Sequence, residues 1–296
     1  MLFSVIVPNY NSPMIDRTLE SLARQSFDRE RYEVIVVGMD QHNLIRESPC
    51  VRFDRSAQRL SAAAARNRGA AQANGEVLAF IDADCIAQID WLAVLADRFA
   101  DQAVNVVGGG VSFEAGNYWT FTDNLSTFHE YLATRAAGVK RQLPSLNFAV
   151  RRDAFRQVGG YDERYPRAAG GEDIELTLRL RRQGYRLNFE PRAIVRHAPP
   201  RNRLRDLLRH GFNQGKYSTK VDPRYAQMEG LPWPLYTRWG VLIAAPLLAT
   251  IVSLRVLQAI DWRKHVRVLP AVWLNKFAWC VGAACRPRGG IHWGQP

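Results

Sequence analysis

The sequence predicts an α/β fold: a mostly parallel sheet flanked by helices, followed by a helical appendage with a possible membrane role. Three observations predict it. Unbroken apolar runs rich in Val and Ile recur before residue 82, segments with helical spacing separate them, and the last third abandons this alternation for a basic, Trp-rich composition. Strands that are apolar at every position are buried on both faces, as in parallel sheets whose crossovers are helices.

The elements follow in order. Phe3-Ser4-Val5-Ile6-Val7 reads as a first strand, stopped by Pro8. Ser12 and Pro13 suit a helix start, and Ile15, Leu19 and Leu22 form its apolar stripe. Glu33 to Val37 is a second buried strand, ended by Gly38, and Ala62 to Ala73 a helix closed at Asn74-Gly75. Glu76 to Ile81 is a third strand, Trp91 to Phe99 a helix, and Val104 to Val107 a strand before Gly108-Gly109-Gly110. From Glu114 to Pro200 the character changes. Asn117 to Tyr131 is aromatic and polar, Leu146 to Val150 is a short strand, Glu172-Asp173 opens a helix reaching Gln183, and Ala193 to Val195 is a strand ending near His197. Sheets of this kind bind ligands beyond the carboxyl ends of their strands, so the segments after Val7, Val37 and Ile81 are the first candidates for a site.

Composition bounds the rest. The chain has 296 residues, 47% hydrophobic and 23% charged, which is ordinary globular material and excludes disorder of the whole chain. Met1 to Tyr10 lack the features of a signal peptide, and Cys50, Cys85, Cys280 and Cys285 lack metal-type spacing, so reduced thiols in a cytoplasmic setting are expected. The net charge of +12 is uneven. Residues 1–200 hold 25 Lys and Arg against 24 Asp and Glu, whereas residues 201–296 hold 15 against 4. Arg201 to Tyr217 is basic and helical in pattern. Gly240 to Leu254 carries no charge, and Val268 to Cys285 is a second apolar stretch interrupted by Pro270 and Lys276. Both are short of the roughly 20 apolar residues of a spanning helix. Six tryptophans in this region favour helices lying in an anionic membrane interface, or a re-entrant hairpin, with a soluble helical hairpin as the alternative. The expected organisation is a main domain over 1–215, divided near residue 115 into two halves, and a basic tail over 216–296.

Phe80-Ile81-Asp82-Ala83-Asp84 carries the densest chemistry. Two carboxylates two residues apart share a face of an extended chain and repel one another unless a cation neutralises them. A hard divalent ion does so and can bridge phosphate oxygens. The plain alternative is a solvated, Asp-rich strand end. Around it stand Pro8-Asn9-Tyr10-Asn11, able to hold a base, Ala65-Arg66-Asn67-Arg68-Gly69, able to neutralise a diphosphate, and Gly171-Glu172-Asp173 at a helix start. Each also has a structural reading, as core, surface charge or cap.

Taken together and in order, these segments resemble the inverting family 2 glycosyltransferases of GT-A fold. The resemblance spans about residues 1–200 and includes Gly75 to Asp84, Gly159-Gly160-Tyr161-Asp162-Glu163, and Gly171-Glu172-Asp173 leading into Leu178 to Tyr185. It implies a nucleotide-diphosphate-sugar donor, a divalent metal (Mn2+ or Mg2+), and a single displacement at the anomeric carbon. It further implies that Pro8 and Tyr10 lie against the nucleobase, Arg66 faces the diphosphate, and Asp82 sits by the ribose and metal. Asp84 would bind the metal with His197 as a further ligand, Asp173 would be the general base, and Asn147 and Glu172 would line the sugar or acceptor side. Two departures stand out. The family usually has an Asp directly after the second strand; here it is Gly38-Met39-Asp40, with Asp40 two positions late, and a uridine nucleotide is the expectation. No Gln-x-x-Arg-Trp of processive synthases occurs, so one or few sugars per encounter are expected. The acceptor would be a glycan or lipid-linked hydroxyl in envelope, exopolysaccharide or glycolipid synthesis, reached from the cytoplasmic face of a membrane. The rival readings are a nucleotidyltransferase of related fold, disfavoured because Pro8 to Ser12 has neither glycine nor charge, and a non-catalytic nucleotide- or polyanion-binding module. No nucleic acid is expected, since the basic residues flank apolar runs.

Overall fold

The structure, a computed structural model, describes residues 2–114, 116–165, 170–218, 230 and 232–286. It divides into two compact units, Met1–Ser112 with Tyr131–Glu163 and Glu172–Pro199, and Phe113–Glu130 with Arg164–Gly171 and Pro200–Pro296.

The first unit is built on one sheet. Its strands are β1 (Phe3–Tyr10), β2 (Tyr32–Met39), β3 (Val51–Arg55), β4 (Val77–Ile81), β5 (Cys85–Ala87), β6 (Val106–Ser112), β7 (Gly138–Val139), β8 (Asn147–Arg151) and β9 (Leu187–His197). They lie in the order β3-β2-β1-β4-β8-β6-β9-β5, with β7 against β9. The half β3-β2-β1-β4 is parallel, as the apolar runs predict, and its central residues Val5, Ile6, Val7, Val34 to Val37 and Val77 to Ile81 are fully buried. Each such side chain contributes about 2 kcal/mol relative to exposure. The other half is mixed: β8 runs antiparallel to β4 and β6, and β5 antiparallel to β9. The helices of this unit are α1 (Ile15–Ala23), α2 (Ala62–Ala71), α3 (Trp91–Ala100), α5 (Arg152–Gln157) and α6 (Glu172–Arg182).

Several expected stops are not stops. β1 continues through Pro8 to Tyr10, because proline's fixed φ is compatible with an extended chain. β2 continues through Gly38, whose φ is +137° and where a Cβ would fall 1.9 Å from the Asn9 carbonyl oxygen. Glycine stands there to let β1 and β2 approach, and the strand ends one residue later, at Met39. β6 likewise runs through the three glycines, all of which pair with β9, and Gly108 with β8 as well. Ser12 does not cap α1: the N-cap is Met14, while the Ser12 hydroxyl donates to the Ala83 carbonyl at 2.8 Å.

The second unit is helical among its described residues: α4 (Tyr118–Phe128), α7 (Leu204–Lys216), α8 (Arg238–Ile243), α9 (Ala245–Ala259), α10 (Trp262–His265) and α11 (Leu269–Ala284). Pro270 does not interrupt the second apolar stretch; it lies in the first turn of α11, where its missing N–H is not needed. α11 packs on α7, α8, α9 and α4. Val241, Ala245, Cys280 and Ala283 form a small buried cluster. Asp123 of α4 is 1% exposed and accepts from Arg201 Nη1 at 2.9 Å, with His210 Nδ1 at 2.7 Å. No helix among the described residues is long and apolar enough to cross a membrane.

Candidate active site

The carboxyl ends of β1, β2 and β4 carry the site residues. Asn9 at the end of β1 is buried; its side chain donates to the Met39 carbonyl at 2.7 Å and accepts from the Ser12 amide at 3.1 Å. This fixes the end of β1, where Tyr10 stands half-exposed, and Arg59 covers the Tyr10 ring at 4.1 Å from its centroid. Pro8 is half-buried in the same strand. Because β2 ends at Met39, Asp40 is the first residue after it. Asp40 is 3% exposed; Oδ2 accepts from the Ile45 amide at 2.8 Å, and Oδ1 is buried with no hydrogen-bond partner. A buried carboxylate oxygen without a donor is costly, and a ligand N–H at this point would relieve it.

Arg66 ties the distant segments together. It projects from α2, whose first turn is capped by the Ser61 hydroxyl accepting from the Ala64 amide at 3.1 Å. Its Nη2 donates to Asp82 Oδ1 at 2.7 Å and its Nη1 to Glu172 Oε1 at 2.9 Å. The guanidinium is 3% exposed and lies 5.3 Å from the centroid of the buried Tyr161 ring. Burial opposes its charge, but Asp82 and the other neighbours hold its pKa above the ordinary range. The sequence aims Arg66 at a diphosphate; in the structure both terminal nitrogens bond to carboxylates, joining α2 to the turn after β4 and to the start of α6. Glu172, expected on the sugar or acceptor side, is buried in the same bridge with its second oxygen unpartnered. Burial raises its carboxyl above the usual glutamate range, against Arg66.

Asp173, beside it on the first turn of α6, is half-buried. Oδ1 accepts from its neighbour's amide, Ile174, at 2.8 Å and Oδ2 from the Ser145 amide at 3.4 Å. Burial raises its carboxyl above the ordinary aspartate range, opposed by the Ile174 amide and Arg66.

A second cluster lies at the turn after β4. Cys85 pairs with His197 in the β5–β9 register, and the Ala198 amide donates to the Asp84 carbonyl at 3.0 Å. This register brings His197 Nε2 to 3.6 Å from Asp84 Oδ1. Candidate ligand atoms of Asp84, Cys85 and His197 lie within 4.8 Å of one another. The carboxylate oxygen and imidazole nitrogen suit Mn2+ or Mg2+. Burial, then Asp84, push the Cys85 thiol well above its usual pKa, so it fits a neutral neighbour better than a ligand. Asp82 lies outside this group and on Arg66.

Asn147 departs most from its expected position. It is 1% exposed at the start of β8; Nδ2 donates to the Gly110 and Ala193 carbonyls at 2.9 and 2.8 Å, and Oδ1 accepts from Trp91 Nε1 at 2.9 Å. Its amide braces β6, β9 and α3 instead of lining a ligand. Sequence reasoning missed Arg59, Cys85, Asn67 and Tyr161 as parts of the site. Asn67 donates to and, through its side-chain oxygen, accepts from the Tyr161 backbone at 2.8 Å, holding the ring under Arg66. Only Tyr161 and Asn67 lay in segments already singled out, and nothing local marks Arg59.

Residues 4–159 match the model of the family described as Glycosyl transferase family 2, and residues 131–199 match that of the N-terminal domain of galactosyltransferase. The chain is 28% identical over 227 residues to the glycosyltransferase AglE of Haloferax volcanii, covering 74% of this chain and 73% of that protein. Among solved structures, it resembles a mannosyltransferase of Pyrobaculum calidifontis in complex with GDP-Man and Mn2+, with a TM-score of 0.62 and 21% identity, over 95% of this chain and 85% of that one. It also resembles GalNAc-T7 with UDP, GalNAc and Mn2+, with a TM-score of 0.56 and 19% identity, over 90% of this chain and 53% of that one, so it spans about half of that protein. At these identities the two structures establish the fold, GT-A.

Proposed function

We infer the reaction from one premise: the chain belongs to glycosyl transferase family 2 and is a glycosyltransferase. The observation that carries the finer reading is the Asp82–Arg66–Glu172 bridge, which draws the Asp-x-Asp turn and the Glu-Asp helix start, 90 residues apart in the chain, into one site. In our reading the donor is a nucleotide-diphosphate sugar. Its base rests between Pro8 and Tyr10, and a base N–H satisfies Asp40 Oδ1. Uracil offers one such N–H, which keeps a uridine nucleotide as the first choice.

Asp84 and His197 hold a divalent ion, with Asp82 fixed by Arg66 toward the ribose. When bound, that ion supplies positive charge to the departing diphosphate. Asp173 takes the proton from an acceptor hydroxyl. The freed oxygen bonds to the anomeric carbon, the bond from that carbon to the diphosphate oxygen breaks, and the electron pair leaves with the nucleoside diphosphate. One in-line displacement inverts the anomeric centre. The raised pKa of Asp173 supports the role, since a stronger base accepts a proton more readily.

Transfer is of one or few sugars per encounter, to a glycan or lipid-linked acceptor in envelope, exopolysaccharide or glycolipid synthesis, on the cytoplasmic face of an anionic membrane. The membrane contact is supported by Trp239, Ile243, Leu247 and Leu254, all strongly exposed on α8 and α9. A panel of uridine, guanosine and thymidine diphosphate sugars, each with and without Mn2+, tests the reading by thermal shift. A Mn2+-dependent rise with one base is expected; no rise with any of them refutes it.

A further inference from the structure

One groove of the second unit is used by nothing described so far. α7 and α11 touch closely along one side: Asn275 Nδ2 donates to the Leu207 carbonyl at 2.9 Å, and a Cβ on Gly215 would fall 1.8 Å from the Trp279 carbonyl oxygen. On the other side the two helices leave a groove of about 710 Å3. Leu208 and Phe212, one turn apart on α7, face Phe277 and Val281, one turn apart on α11. Arg205 and Arg209, also one turn apart, supply the only charges of the lining, and both are exposed. Neither side chain has a hydrogen-bond or ion-pair partner among the described residues.

A slot of carbon with two unpaired cations on its rim is complementary to an amphiphile with an anionic head. Residues one helical turn apart hold their Cβ atoms about 6 Å from each other, close enough for two guanidinium groups to share one phosphate. The volume is that of a small-molecule site, commonly about 300–1,000 Å3, and is small for a protein partner, whose interface buries about 800 Å2 per side. Apart from the arginines, the lining offers no side chain able to hydrogen-bond a peptide backbone.

We propose that the groove between α7 and α11 binds the hydrocarbon chain of an anionic membrane phospholipid, with Arg205 and Arg209 on its phosphate. This rests on the membrane contact proposed above and gives it an address.

Two measurements on the full chain test it: sedimentation with phosphatidylcholine vesicles with or without phosphatidylglycerol, and thermal shift with lysophosphatidylglycerol below its micelle concentration. Each basic residue near an anionic surface is worth about fivefold in affinity, so Arg205→Gln with Arg209→Gln weakens binding to the anionic vesicles about thirtyfold. Ala278→Phe, filling the groove, removes the lysolipid shift. Anionic-vesicle binding and lysolipid shifts that match the parent's in both variants overturn the proposal, as does an equal shift with inorganic phosphate alone. Binding lost in Trp239→Ala with Leu247→Ala but kept in both groove variants leaves the membrane contact standing without the groove. A parent that ignores anionic vesicles removes both.

Discussion

Arg66 is the residue on which the site's charge balance turns. With its guanidinium buried between Asp82 and Glu172, Arg66→Leu leaves two carboxylates without their counter-charge. The expected cost is about 3–5 kcal/mol, measured by denaturant unfolding. Glu172 gives a pH signature of definite sign. Its folded pKa lies above the ordinary glutamate value of about 4.3, so the folded state holds the proton more tightly than the unfolded one. Its contribution is therefore full at acid pH and is lost as pH rises from the ordinary value through the raised one. Glu172→Gln should flatten that part of the stability profile, and an unchanged slope would assign it elsewhere. Asp173→Asn should keep the donor-induced thermal shift and lose about 100- to 10,000-fold in kcat. In the parent, kcat should fall on acidification with a midpoint above the ordinary aspartate pKa of about 3.9, because only the ionised carboxyl accepts the acceptor's proton.

At the scale of elements, legibility followed burial. β1, β2 and β4 were readable because each carries an unbroken apolar run, Val5 to Val7, Val34 to Val37 and Val77 to Ile81, a signal that needs no partner. β3, β5 and β7 were not: Val-Arg-Phe-Asp-Arg is polar at three of five positions, and the other two strands have three and two residues, ordered by the neighbours they pair with. The same dependence on neighbours hid half of the site. Asp82, Asp84, Asp173 and Asp40 were found as carboxylates at element ends. That Arg66 points down at carboxylates, that Cys85 sits in register with His197, and that Arg59 covers Tyr10 are products of pairing across long chain separations. Asn147 diverges in the opposite sense: a polar residue at the start of a strand, expected to line the sugar or acceptor site, spends its amide on Trp91 and two carbonyls. The two readings differ in outcome. As a brace, Asn147→Ala strands the Trp91 N–H and two carbonyls and costs on the order of 3 kcal/mol in unfolding experiments. As a sugar ligand it would raise KM and leave stability nearly unchanged.

For the molecule as a whole, the chain's own order matters more than the two-part reading of the sequence suggests. The second unit takes in α4 from the middle of the chain as well as everything from Pro200 onward, including α7. Its parts depend on one another. α4 packs on α7, α9 and α11, and the Asp123 carboxylate, buried on α4, is held by Arg201 and His210 from the later segment. A protein shortened to residues 1–199 therefore keeps α4 but loses every one of those partners. It would expose Leu125 and Phe128, now at most 9% exposed, together with an unpaired carboxylate whose burial was tolerated only through its ion pairs. Such a truncation should bind more apolar dye than the full chain and associate more on size-exclusion chromatography. A monodisperse, dye-silent 1–199 fragment would instead mean that α4 is stable without the later helices. This sets how the proposed membrane contact has to be tested: by point substitutions on α7, α8, α9 and α11 in the intact chain, because a truncation removes the surface proposed to face lipid and the support of α4 in the same cut.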